Sequence, residues 1–238
     1  MKMKFLKNSV CAALLVGAMV PATVALAEDG EGAWDLSGTL TVTNDYRFRG
    51  VSQTTGEGAV QLGVELAHES GFYGGVWFSN VDFDAFADIE TDIYLGYSHD
   101  MSEETNLDVA LLYYLYNDEP SGGEYDYFEL MATLTHSYEG GAEVHGLVAL
   151  TPEYFGETGF GWYIEGGVGF QIVEWLGISA NVGYQDVEDL GAYTTWNAGL
   201  TASWEIIDFD ARYVDTDIGG FCDDVCDGAV VLSATLNL

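Results

Sequence analysis

Val230-Val231-Leu232-Ser233-Ala234-Thr235-Leu236-Asn237-Leu238 alternates between two kinds of side chain. Val230, Leu232, Ala234, Leu236 and Leu238 fall on one face of an extended chain, and Val231, Ser233, Thr235 and Asn237 on the other. A period of two marks a strand with one apolar and one polar surface. The pattern returns upstream. Val60, Leu62, Val64 and Leu66 oppose Gln61, Gly63 and Glu65. Ile89, Ile93, Leu95 and Tyr97 oppose Glu90, Asp92, Tyr94 and Gly96. Leu176, Ile178, Ala180, Val182 and Tyr184 oppose Ser179, Asn181 and Gln185.

Twelve such segments are predicted, at roughly 35–50, 58–68, 72–81, 89–99, 106–117, 125–138, 142–151, 160–172, 176–186, 193–204, 207–215 and 229–238. Each is close to the length a tilted strand needs to cross a bilayer, and twelve is the even number that bacterial single-chain barrels use. Short connections near 69–71, 139–141, 173–175 and 205–206 read as periplasmic turns. Longer ones near 51–57, 82–88, 118–124, 152–159, 187–192 and 216–228 read as outer loops. Aromatic residues supply two belts: Tyr46, Phe48, Phe78, Phe128, Phe160, Trp162, Tyr184 and Trp196 near the outer rim, and Phe72, Tyr97, Phe170, Trp204 and Phe209 near the inner rim. The reading is a transmembrane antiparallel up-and-down β-barrel over residues 28–238. A soluble β-sandwich or lipocalin-like barrel also alternates, but buries its apolar face inward. Periodicity alone does not say which face is inside.

The first 27 residues have another character. Lys2, Lys4 and Lys7 precede an apolar run from Val10 to Val20, and Ala25-Leu26-Ala27 is a small-x-small cleavage site. This predicts a cleaved secretory signal peptide rather than an anchor helix, because the run is too short to span a bilayer. The mature chain then keeps all 39 acidic residues but only Arg47, Arg49 and Arg212, a formal charge of −36. That balance excludes the basic footprint of a nucleic-acid binder.

Several stretches resemble the TorF family of porin-type outer-membrane proteins. They are Asn44-Asp45-Tyr46-Arg47-Phe48-Arg49-Gly50-Val51-Ser52-Gln53 and Gly71-Phe72-Tyr73-Gly74-Gly75-Val76-Trp77-Phe78-Ser79-Asn80-Val81-Asp82-Phe83. Tyr125-Asp126-Tyr127-Phe128-Glu129-Leu130, Pro152-Glu153-Tyr154-Phe155 and Tyr213-Val214-Asp215-Thr216-Asp217 support them. The resemblance covers nearly the whole mature chain. It implies an outer-membrane barrel with a transport role and leaves the substrate open. One departure is Leu238, which stands where barrels of this kind usually carry an aromatic.

With the apolar faces toward lipid, Glu65, Glu90, Asp92, Asp108, Glu129, Glu143, Glu165, Asp208 and Asp210 point into the lumen. So many acids in a confined space concentrate cations and repel anions. Asp45, Arg47 and Arg49 share the polar face of the first segment, and Arg212 shares that of Asp208 and Asp210, so the three arginines are expected in one sector of the outer lumen. They either neutralise part of the acidic wall or face a constriction. The same parity turns Tyr73, Trp77, Tyr94, Tyr114, Tyr116, Tyr127, Met131 and Tyr163 inward, against glycines that open space.

Cys222 and Cys226 are expected to form a local disulfide in an exported loop. Asp215 and Asp217 in that loop are a weak candidate for Ca²⁺; no other metal site is expected. There is no G-x-S-x-G and no H-E-x-x-H, and of the four histidines only His145 has clear lumen parity, so no enzyme and no cofactor is expected. The leading function is passive, porin-like diffusion of small solutes or ions, cation-preferring, across the bacterial outer membrane. The expected partners are outer-membrane lipid and lipopolysaccharide, the barrel-assembly machinery, and the small solutes or cations themselves. The alternative is a closed structural or adhesion barrel whose outer loops bind ions or partners.

Overall fold

A computed structural model describes residues 33–83, 87–117, 125–219 and 222–238. The segment 1–27, where a signal peptide is expected, lies outside the described residues. The alternating segments become strands β1 (Trp34–Thr43), β4 (Ala59–His68), β5 (Phe72–Asn80), β6 (Ile89–Asp100), β7 (Thr105–Tyr116) and β8 (Tyr127–Ser137). They continue as β9 (Ala142–Thr151), β10 (Gly161–Val173), β11 (Leu176–Val187), β12 (Gly191–Trp204), β13 (Ile207–Thr216) and β14 (Ala229–Asn237). Two further strands of two residues, β2 (Arg47–Phe48) and β3 (Val51–Ser52), form a separate hairpin.

The twelve long strands pair antiparallel with their sequence neighbours, and β1 closes the sheet by pairing with both β4 and β14. Thr41 is the seam's centre, opposite Thr235 on one side and Gln61 on the other. The apolar faces look outward. On β6, Leu95 is 65% exposed while Asp92 is 0% exposed. That is the inverse of a soluble sandwich or lipocalin-like barrel, and it is the transmembrane arrangement. The rims carry exposed aromatics: Phe78, Phe128, Phe160, Tyr184 and Trp196 at one end, and Phe72, Tyr97, Phe170, Trp204 and Phe209 at the other.

The first segment departs from its expected course. Its alternation continues through Arg49, but β1 ends at Thr43. Asn44 there stitches the wall to β14, donating from Nδ2 to Val230 O and accepting from Leu232 N. The chain then turns into the barrel and forms the β2–β3 hairpin around Arg49-Gly50, with φ of 48° and 92°. Positive φ at both central residues is the two-residue turn that suits a tight hairpin. A Cβ on Gly50 would run into Thr195 and Thr216. Tyr46 and Phe48 therefore belong to the lumen, not the outer belt, and both are buried. The 187–192 connection is also shorter than expected, a turn closed by Leu190 N donating to Val187 O at 3.1 Å.

The core is inside the barrel. Phe48 packs with Tyr94, Leu112, Tyr114, Tyr127, Met131, Leu147 and Tyr163, and Tyr154 and Phe155 reach the same cluster from the loop after β9. Large rings fit because glycines face them. A Cβ on Gly75 would strike the Tyr94 ring opposite it, and one on Gly96 would strike Tyr73.

Candidate functional site

The lumen divides into a filled side and an open side. On the filled side, and along its border with the open one, the inward acids other than Asp92 are held by hydroxyls. Tyr94 donates to Glu65 at 3.1 Å, Tyr73 to Asp108 at 2.8 Å, Tyr116 to Glu90 at 2.9 Å and Tyr163 to Glu165 at 2.6 Å. Tyr114 donates to Glu129 at 3.1 Å, and Ser137 to Glu143 at 3.1 Å. His145 faces the lumen with Nε2 3.3 Å from Glu165. A buried carboxylate needs such donors. The sequence shows each acid at the parity of a tyrosine on its own or an adjacent strand, but acid and aromatic read separately do not reveal the pairing.

The open side is a cavity of about 240 Å³ against β1, β14, β13 and β12. Thr39, Thr41, Thr43, Ser233 and Thr235 form a hydroxyl-bearing wall, with Asn197 and Asn237 beside it. Asp208 accepts from Asn237 Nδ2 at 2.8 Å. Arg212 donates to both oxygens of Asp210, at 3.2 and 2.9 Å, and also to Asn197 and Ser179.

The three arginines border this cavity but do not act as one cluster. Arg47 donates to Asp45 at 2.6 Å, to Gly50 O at 3.0 Å and to Asp227 O at 2.7 Å, which fastens the hairpin to the loop before β14. Arg49 crosses the lumen to Glu129 on β8 and Gln185 on β11. The separation follows from the chain leaving the wall after Thr43, which carries Arg49 away from Arg212. Arg49 also lies over the rings of Phe48 and Tyr163, at 4.6 and 4.3 Å. Burial works against its charge, but the Glu129 carboxylate and the neighbouring Tyr114 and Tyr154 together outweigh it, so the Arg49 pKa stands well above its ordinary value. Asp45 meanwhile accepts from Ser52 at 2.6 Å, which fixes the hairpin's own shape. Tyr46, Phe48, Ser52 and Thr54 are buried parts of this arrangement that parity does not place there. The Arg49-Gly50 pair is the one local signal for the turn.

Outside the barrel, Cys222 and Cys226 are disulfide-bonded with Cα atoms 5.5 Å apart, around the 3₁₀ turn Asp223–Cys226. Asp215 accepts from Tyr213 Oη and Thr216 N, and Asp217 accepts from Thr194 N. Among the described residues no group of three or more His, Cys, Asp or Glu comes together to hold a metal.

A family model described as "Bacterial protein of unknown function (Gcw_chp)" matches residues 27–226. The chain belongs to this family. No curated protein matches the sequence. Among solved structures, the KdgM porin superposes with a TM-score of 0.58 at 7% identity, covering 84% of this chain and 97% of that one. KdgM in complex with disordered oligogalacturonate gives 0.58 at 8% identity, with the same coverages. The NanC porin gives 0.54 at 9% identity, covering 85% of this chain and 98% of that one. At these identities the Gcw_chp chain shares a fold with the porins.

Proposed function

We propose that the protein is a narrow porin-type channel of the bacterial outer membrane, passing small hydrophilic solutes and ions. The observation that carries this reading is the hydroxyl-bearing wall beside the hairpin. It runs from Asp208 and Asn237 near the short-turn end to Thr195 and Gly50 near the long-loop end. A water path needs a row of polar groups such as this one along one wall, and a purely structural core does not. The porin fold and the TorF likeness of the sequence point the same way. The exported chain would be inserted by the barrel-assembly machinery among lipid and lipopolysaccharide. We assign it no catalytic step.

The preference is for cations and is mild. Arg47 is paired with Asp45, Arg212 with Asp210 and Arg49 with Glu129. Asp208 and Glu165 then remain on the cavity wall without an arginine partner. KdgM has been captured with oligogalacturonate, an acidic chain. Here the guanidinium groups are already committed to carboxylates, so a polyanion is not the solute we favour. A second reading, a closed barrel, draws on the aromatic filling of the other half.

The deciding experiment is single-channel recording of the refolded mature protein in a planar bilayer under a salt gradient. Discrete steps with a reversal potential favouring cations are expected. A correctly folded barrel that conducts nothing overturns the channel reading in favour of the closed barrel.

A further inference from the structure

Both carboxylate oxygens of the buried Asp92 have no hydrogen-bond partner, and beside them Glu90 Oε2 and Tyr46 Oη have none but each other. Glu90 and Asp92 are two residues apart on β6 and share its lumenal face. Tyr46 comes from outside the acidic pair, on the segment leading into the hairpin. It is 7% exposed, and its hydroxyl lies against Glu90. Tyr116 and Ser79 flank Glu90 across the sheet, and Tyr114 and Trp77 flank Asp92. Glu90 Oε1 is already engaged by Tyr116. Tyr46 packs with Ala59, Val81 and Ala87 in an apolar cluster beside these groups. Arg49 is turned to Glu129, and the chain beyond residue 27 contains no lysine. Two carboxylates thus lie side by side without a cation, with Asp92 fully buried. Such a pair persists only if something positive neutralises it.

We propose that Glu90, Asp92 and Tyr46 form a lumenal site for an oxygen-seeking divalent cation of the calcium type. The donors are all hard oxygens, which suit Ca²⁺ rather than a nitrogen- or sulfur-seeking metal. Two carboxylates match its double charge. Two carboxylates and a phenol oxygen are fewer ligands than Ca²⁺ takes, so water brought in with the ion completes the shell. Tyr46 and Trp77 also line the open cavity, which gives the ion its approach. Once bound, the cation ties the hairpin segment to β6, independently of whether the barrel conducts.

The test uses terbium as a luminescent stand-in for calcium on the refolded mature protein, stripped with chelator. Tyr46 and Trp77, with ring centres 5.5 Å apart, are the sensitisers. A saturable emission displaced by Ca²⁺ is expected for the wild type and for Glu103→Gln, a control in an exposed turn. It should be lost in Asp92→Asn and weakened in Glu90→Gln. Calcium should raise the melting temperature of the wild type and leave Asp92→Asn unmoved. If Asp92→Asn does not fold, Glu90→Gln carries both readouts. Equal calcium dependence in wild type and variants overturns the site. So does an infrared carboxylic-acid band that Asp92→Asn removes and saturating calcium does not, because a proton then does the neutralising.

Discussion

Arg49 and Glu129 join the hairpin tip to the far wall of the barrel by two parallel hydrogen bonds, Nη1 to Oε1 at 2.9 Å and Nη2 to Oε2 at 2.7 Å. Both side chains are 1% exposed. The fork geometry is the strong form of this contact. It spans eighty residues of sequence, so it fixes where the whole 44–58 segment sits.

Arg49→Ala leaves Glu129 buried without its cation. A loss of about 3–5 kcal/mol is expected, the usual cost of breaking one partner of a buried pair. Arg49→Lys should recover part of it at best, because an ammonium neither forks nor stacks as a guanidinium does on Phe48 and Tyr163. Replacing both partners together, Arg49→Met with Glu129→Leu, should cost much less than Arg49→Ala. Thermal unfolding in detergent checks the order. Equal losses in the single and double variants would show that the pairing is not what holds the hairpin. In planar bilayers the same Arg49→Ala protein should conduct more than the wild type, because its hairpin is released.

Glycines that face rings should be intolerant, and glycines that face lipid should not. A Cβ on Gly75 would meet the Tyr94 hydroxyl and ring and the Val64 carbonyl. At Gly146 the nearest atom, the Glu165 carbonyl oxygen, is 3.9 Å from such a Cβ. Gly75→Ala should therefore destabilise by about 1–3 kcal/mol through overpacking. Gly146→Ala should be neutral, or stabilising by up to about 1 kcal/mol from reduced backbone entropy. Denaturant titrations of the two variants side by side test this. Similar behaviour would remove the ring-over-glycine packing from the account.

The barrel was readable because alternation persists through every long strand, and lipid on one side with a wet lumen on the other imposes the same period throughout. That same regularity hid the hairpin. Asp45, Arg47 and Arg49 keep the parity of Ser37, Thr39, Thr41 and Thr43, so nothing in the pattern marks the turn inward after Thr43. The turn depends on Asn44 bonding across to β14, nearly two hundred residues away in sequence, and on positive φ at Arg49 and Gly50. Likewise parity puts Glu129 and Arg49 inside, but which acid meets which arginine is set by the span of the lumen. The Cys222–Cys226 pair was legible because its spacing is local.

That disulfide closes a loop too short to stabilise the barrel by much. Chain-entropy reasoning allows about 2 kcal/mol for a loop of this size. Its effect should be local to the hairpin. The 3₁₀ turn packs against β3, Thr216 donates to Cys226 O at 3.1 Å, and Arg47 reaches Asp227 O. In Cys222→Ser/Cys226→Ser, limited proteolysis should open the 217–228 loop first and expose the 44–58 segment next, with barrel unfolding shifted only slightly. A large drop in barrel stability would mean that the loop is part of the barrel's cooperative unit.

Ion selectivity should respond to the two charges on the open wall in opposite senses. Arg212 holds Asp210 bidentately beside the cavity. Arg212→Ala removes that positive charge and leaves Asp210 free to act on passing ions. Asp208→Asn removes a carboxylate that no arginine balances and leaves its amide partner Asn237 in place. A unit charge about 4 Å from an ion in water is worth ~1 kcal/mol, which sets the scale of the change in permeability ratio at about fivefold for each variant. The reversal potential in a salt gradient should therefore move toward cations for Arg212→Ala and toward anions for Asp208→Asn. Both shifts should shrink at high salt, where the screening length falls to a few ångströms. Movement in the same direction, or none in a conducting barrel, would mean that ions do not pass along the β1, β13 and β14 wall and that the path lies elsewhere in the lumen.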